Sequence, residues 1–195
     1  MRRFIICGHE GPLTPDFSLD ALTGAGRLDL LARCVTTGFL LSHGIREAVE
    51  VSLVLRDELT VRFDGRELKQ LHPDERSAAA LVKTALDGKR GAIGAMEANP
   101  APGVYIGKRG LAKTLDRTDG TLIELHEDGS PAVEVTPPAD PVFVLSDHRN
   151  FTDTEADLLA KRADHRIRVG PERLHADHTV TVAHNWLDTD GYTEY

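Results

Sequence analysis

The closing third of the chain constrains its fold most. Residues 141–188 read PVFVLSDHRNFTDTEADLLAKRADHRIRVGPERLHADHTVTVAHNWLD. The apolar run from Pro141 predicts a strand ending on Ser146 and Asp147. Thr152 followed three residues later by Glu155 is a capping box, which predicts a helix over 153–162 with Leu158 and Leu159 inward. His165 to Val169 reads as a second strand, turned by Gly170-Pro171. Strand, helix and strand in this succession predict a parallel sheet. In an open α/β sheet ligands bind outside the carboxyl ends of the strands, so the loops at Ser146-Asp147 and at Gly170-Pro171 form the candidate small-molecule site.

Earlier segments fit the same architecture. Residues 2–7 are β-branched and aromatic enough for a buried first strand, and 8–15 is loop. Leu28, Leu31, Ala32, Val35 and Phe39 form one apolar stripe at spacings of three and four, predicting a helix stopped near Gly44. Val49 to Leu55 and Leu59 to Phe63 read as strands joined by the short link Arg56-Asp57-Glu58. Pro73-Asp74-Glu75 opens a helix over 76–86. Residues 87–103 read as a loop or frayed helix, 104–106 as a strand, and 110–117 as a short helix. Thr121 to Leu125 reads as a strand ended by a turn at His126-Glu127-Asp128-Gly129, and 133–135 as an edge strand. For 179–182 two readings stand: strand by alternation, or a helix capped by Asp177 with Val180, Ala183 and Leu187 on one face. Strands interleaved with helices make one α/β domain over 1–195 with a mainly parallel sheet.

Composition narrows the chemistry. Thirty-one acidic against twenty-three basic residues give a net charge of -8, which argues against a strongly basic nucleic-acid surface. Six lysines against seventeen arginines, with the acidic excess, suit a protein of a salt-rich cytoplasm, where long-range attraction to phosphate is screened. Cys7 and Cys34 lie in apolar segments as core thiols, which fits a reducing cytoplasm. The apolar run after Arg3 is too short for a signal peptide, and nothing approaches a membrane span. The expected location is the cytoplasm, with no membrane partner.

His175, Asp177, His178 and His184 resemble a metal cluster, but on a helix His184 lies on the opposite side from His175, so no metal is expected. Asp29 and Arg33, four apart, read first as a solvated intrahelical ion pair. Gly24-Ala25-Gly26 precedes a helix without a strand in register, leaving a dinucleotide fold as a weak alternative.

Four blocks carry a more specific signal: GRLDLLARCVTTGFLLSHGIRE (26–47), GRELKQLHPDER (65–76), DPVFVLSDH (140–148) and VGPERLHADHTVTVAHNWLD (169–188). Together, and in this order, they resemble the archaeal tRNA (pseudouridine-54 N1)-methyltransferases of the SPOUT class. The resemblance implies a C-terminal deep trefoil knot, a homodimer, S-adenosyl-L-methionine as methyl donor and tRNA as substrate. It places the donor against Leu125, against Ser146 and Asp147, and against Ile167, Arg168, Val169, Gly170 and Leu174 together with Thr179. Relatives often carry glycine at the position of Ser146 and cysteine at that of Thr179, so a compulsory cysteine nucleophile is not expected. Related SPOUT pseudouridine methyltransferases place an Arg-x-Asp motif near the target base, and Arg27-Leu28-Asp29 matches it. Asp29 is then expected to orient or deprotonate the base, and Arg27, Arg33 and Arg76 to hold phosphates or uracil carbonyls. Two other readings stay open: a related enzyme acting on ribosomal RNA, and a catalytically silent RNA- or donor-binding protein.

Overall fold

A computed structural model describes all residues, 1–195. Strand β1 (Arg2–Gly8) leads through a 3-10 turn at Leu22–Gly24 to helix α1 (Leu28–Phe39), and a two-residue ribbon, β2 (Leu40–Leu41) with β3 (Gly44–Ile45), ends that unit. Then come β4 (Val49–Leu55), β5 (Leu59–Asp64), α2 (Glu75–Asp87), β6 (Ala98–Ala101), β7 (Val104–Gly107) and α3 (Leu111–Leu115). The last third holds β8 (Thr121–Pro131), β9 (Pro141–Ser146), α4 (Asp153–Arg162), β10 (His165–Arg168) and α5 (Ala176–Asp188).

One eight-stranded sheet has the order β10-β8-β9-β1-β4-β5-β7-β6. The ladders from β10 through to β4 are parallel, and those joining β4, β5, β7 and β6 are antiparallel. Alternation along the central strands builds a core on each face. Phe4 and Ile6 of β1 and Phe143 and Leu145 of β9 meet α1, α2 and α5 in the larger core. Ile5 and Cys7 of β1 and Val142 and Val144 of β9 meet α3 and α4 in the smaller one. Phe4 stacks on Phe143 with ring centroids 5.1 Å apart, and the fully buried Trp186 of α5 meets Phe143 edge-on.

The capping box is present: the Thr152 hydroxyl accepts from the Glu155 amide, and the Glu155 carboxylate accepts from the Thr152 amide at 2.8 Å. Asp74 caps α2 by accepting from the Ser77 amide at 2.7 Å.

Four expectations need correction. First, residues 98–101 are an edge strand rather than loop; Pro100 hid it, and an edge is where a sheet tolerates proline. Second, β8 runs on to Pro131 instead of stopping at a turn. Its register against β10 jumps from Glu124↔Arg166 to Ser130↔Ile167, so 125–129 bulge out of the ladder. Gly129 permits this, since a Cβ there would lie 2.5 Å from the Ile167 carbonyl carbon. Third, 132–134 is a 3-10 turn, not an edge strand. Fourth, the segment of 179–182 is helical, but His175 stands at the N-cap and Asp177 lies inside the first turn.

Candidate functional site

The parallel strands bring their carboxyl ends together, and a cleft opens there. The β8 bulge contributes Leu125, His126 and Glu127; the end of β9 contributes Ser146 and Asp147; β10 and its following loop contribute Ile167, Arg168, Val169, Gly170 and Leu174; α5 contributes Ala176 and Thr179. All nine residues named from the sequence as donor contacts line this one cleft. Its apolar walls are Leu125, Leu145, Ile167 and Leu174, and Phe151, Arg149, Asn150, Glu172 and Arg173 complete it. Both hydroxyls are engaged locally, Ser146 donating to the Arg149 carbonyl and Thr179 donating to the His175 carbonyl at 3.0 Å. The remaining polar groups of the lining are then largely main chain and charged side chains.

Asp147 of the cleft is held by a residue that sequence reasoning missed. His9, just past β1, lies between two carboxylates, with Nδ1 2.9 Å from Asp147 Oδ1 and Nε2 2.9 Å from Glu155 Oε2. Its amide also donates to Asp147 Oδ2 at 2.9 Å. The hydrogen bond to Asp147, then that to Glu155, pushes the imidazole up to about 9, so at neutral pH it is an imidazolium donating from both nitrogens. Burial works against both carboxylates, but hydrogen bonds led by the one from His9 hold Asp147 and Glu155 below their ordinary range. The only sequence signal was a histidine in the loop after a predicted strand, which is not diagnostic without the fold.

A second cluster faces the cleft across the first turn of α5. Arg33 of α1 donates from Nε to Asp177 at 2.9 Å and from Nη1 to Glu75 at 2.9 Å and to Asp29 at 3.3 Å. Arg27 grips the other side of Asp29 as a fork, with Nε at 3.0 Å and Nη2 at 3.2 Å. Asp29 is 7% exposed, so the pair is not the solvated one that spacing alone suggested. Burial raises its proton affinity, but the bonds from Arg27 and Arg33 outweigh that and hold the carboxyl below its usual range. Asp177 lies between Ala176 and Thr179, so the Arg27–Asp29 pair is linked through Arg33 to the wall of the cleft.

The arginine fork depends on an unusual backbone. Arg27 itself has φ 59 at the N-cap of α1, and Gly26 before it has φ +65. A Cβ at Gly26 would lie 1.7 Å from the Glu10 carbonyl oxygen. Gly26→Ala is therefore expected to destabilise the protein by more than about 2 kcal/mol and to lower the midpoint of thermal unfolding; an unchanged midpoint would contradict it.

The three arginines expected to meet RNA are all paired with carboxylates. Arg27 holds Asp29, Arg33 is shared among three acids, and Arg76 pairs with Asp20. His184 belongs to the core: Nε2 donates to the Gly38 carbonyl at 3.1 Å, Nδ1 faces Arg2, and the ring packs on Phe4. Burial, then Arg46 and Arg2, push it down to about 4. No group of three or more His, Cys, Asp or Glu side chains is placed to hold a metal ion. No helix is long and apolar enough to cross a membrane.

Comparison with known proteins gives this geometry a context. The chain is 60% identical over its full length to the full-length tRNA (pseudouridine(54)-N(1))-methyltransferase of Haloferax volcanii. It is 57% identical, again over all of both chains, to the protein of that name from Halobacterium salinarum, and 43% identical to that of Methanocella arvoryzae over 97% of this chain and 99% of the relative. The crystal structure of Archaeoglobus fulgidus Nep1 bound to S-adenosylhomocysteine shares the fold, with a TM-score of 0.67 at 12% identity over 95% of this chain and 96% of that one. A family model described as "Putative SAM-dependent RNA methyltransferase" matches residues 1–192. The chain belongs to this family of S-adenosylmethionine-dependent RNA methyltransferases.

Proposed function

We propose that this protein transfers a methyl group from S-adenosylmethionine to N1 of pseudouridine 54 in tRNA. The observation that carries the reading is the convergence of the nine expected donor contacts on one cleft at the ends of β8, β9 and β10. The full-length relatives, named for that reaction, support the choice of base and RNA.

The cleft fits the donor chemically. Leu125, Leu145, Ile167 and Leu174 offer apolar surface to an adenine ring, and Glu172 offers negative charge to a cationic sulfonium and ammonium, while Glu127 faces Arg173 at 3.4 Å. No side chain caps α5, so its first-turn amides beside Ala176 are free to receive a carboxylate. With Ser146 and Thr179 hydroxyls spent locally, main-chain groups around Gly170 do the close gripping.

When bound, S-adenosylmethionine supplies a methyl already activated on sulfur, so the protein's work is alignment and proton control. Pseudouridine is joined to ribose through carbon and keeps an N1–H; as the methyl leaves sulfur for N1, that proton passes to solvent water. Asp29, doubly gripped and ionised, is a weak base. It holds the Arg27 fork toward the base, and Arg27 stabilises negative charge developing on the uracil ring. We also read the C-terminal third as a trefoil knot: β9 lies between β8 and β1, β10 lies beyond β8, and α5 returns to pack on α1, an order compatible with such threading. A cytoplasmic homodimer completes the proposal.

The test compares two tRNAs that differ only in pseudouridine or uridine at position 54, with labelled donor and the product nucleoside identified by mass. Methylation of the pseudouridine tRNA alone is expected. Equal transfer to both, or to neither, would refute the assignment.

A further inference from the structure

An acidic enzyme must still hold a polyanion, and the three arginines first expected to do so are occupied by carboxylates. Positive charge is concentrated elsewhere. Residues 88–117 contain six Lys and Arg against two Asp and Glu, in a chain whose net charge is -8. Both acids are neutralised internally, Glu97 by Arg62 and Arg109, and Asp116 by Arg162. Arg109 is spent on that pairing and is buried. Arg90, Lys108, Lys113 and Arg117 are exposed with no carboxylate on them.

Between these cations projects an apolar tip. Ile93 and Met96 pair as an isolated bridge, and each is 72% exposed. Arg117 crosses to the tip and donates to the Ala95 carbonyl at 2.7 Å. Two large exposed apolar side chains in a segment rich in exposed Lys and Arg, with Arg117 bonded to the tip, suit a nucleic acid, which offers phosphates beside the flat faces of bases. A protein partner for such a tip would have to be acidic at its rim.

Register fixes where this surface lies relative to the cleft. Ser146 of the cleft pairs with Cys7, Cys7 with Val54, Val54 with Thr60, and Thr60 with Gly107. Lys108 follows Gly107, so it stands at the same end of the sheet, four strand spacings of about 4.8 Å away, roughly 19 Å. That span is on the order of the width of one RNA helix, whose backbone could touch the tip while a flipped base enters beside the cleft.

We propose that the 88–117 elaboration, with Arg90, Lys108 and Arg117 around the Ile93–Met96 tip, is a tRNA-docking surface that holds the body of the substrate while position 54 reaches the cleft. The proposal rests on the tRNA reading above. Phosphate contacts by Arg90, Lys108 and Arg117 supply affinity without sequence preference, and the apolar tip packs on a base or sugar face.

The test is binding of the pseudouridine-54 tRNA to the full chain over a range of salt, for the parent, for Arg90→Gln/Lys108→Gln/Arg117→Gln, and for Ile93→Ser/Met96→Ser. Glutamine at 117 keeps a donor for the Ala95 carbonyl. The triple variant is expected to bind about tenfold or more weakly, with the slope of log affinity against log salt reduced by roughly three. Donor affinity and thermal midpoint are expected to match the parent. The tip variant is expected to weaken binding without changing the slope. Parent-like tRNA binding by both variants would overturn this surface while leaving the methyltransferase reading intact; a parent that binds no tRNA would overturn both.

Discussion

Asp29→Asn is expected to lower methyl transfer to tRNA by about 10²- to 10⁴-fold while leaving affinity for S-adenosylmethionine within about twofold. The carboxylate is nearly buried and accepts from both nitrogens of the Arg27 fork and from Arg33. Asparagine keeps the volume, but it offers one acceptor oxygen and turns an amide toward a guanidinium, so the fork loses its hold. Arg27, already at φ 59, would be free to swing away from the base. The cleft is reached from Asp29 only through Arg33 and Asp177, so donor binding has no direct stake in the change. A pH profile separates the two roles of Asp29. Its proton affinity is lowered below the carboxylate range by its two arginines, despite burial, so turnover limited by Asp29 as a base would show no inflection between pH 6 and 8. Turnover within twofold of the parent in single-turnover assays would remove Asp29 from the mechanism. Loss of donor binding in step with activity would recast it as a fold residue.

Most of the sheet and its helices were legible in the chain because each element carried its own punctuation. The Thr152 and Glu155 capping box, the 28–39 stripe and the Arg56-Asp57 link all reappear as α4, α1 and the β4–β5 turn. On the antiparallel side β5 and β7 were legible too, but the outermost strand, β6, was not. Pro100 and the glycines of 88–103 signal loop, and only pairing with β7 makes Ala98–Ala101 a strand. Likewise nothing local in 126–129 distinguishes a turn from a bulge, because the difference lies in a later strand, β10, that pairs on both sides of it. The candidate site divides in the same way. Its cleft residues follow from the order of strand ends, and family resemblance named them. His9 does not follow, since its two partners lie 138 and 146 residues away, and no spacing rule spans such a distance. The charge of the whole chain also hides the local excess of Lys and Arg in 88–117, since it averages that segment into an acidic background.

Replacing His9 with alanine is expected to cost about 3–5 kcal/mol of stability and to raise the KM for the donor. Asp147 has no side-chain exposure and Glu155 little, so removing the imidazolium leaves two buried carboxylates facing one gap. Asp147 keeps the amides of His9 and Arg149 as donors, and Glu155 keeps Thr152, but neither keeps a buried counter-charge. The nearest basic side chains are poor substitutes: the His148 ring is 3.5 Å from Asp147 and also faces Glu10, and Arg149 is held by Glu10. The loop carrying Ser146, Asp147, Arg149 and Asn150 is the one His9 ties down, so its loosening reaches the cleft directly. The dependence on pH has a definite sign. A histidine raised from 6.5 to about 9 contributes stability that is fully present below about 6.5 and is lost as pH rises through about 9. Asp147 and Glu155, lowered by the same bonds, contribute above the ordinary carboxylate range and lose that contribution as pH falls through their depressed values. The gap in unfolding free energy between parent and His9→Ala should therefore be widest near pH 6 and narrow toward pH 10, as measured by denaturant unfolding at both. A gap of constant size would mean that His9 acts by packing, with its charge irrelevant; no gap would mean that the donor loop is held by its own turns.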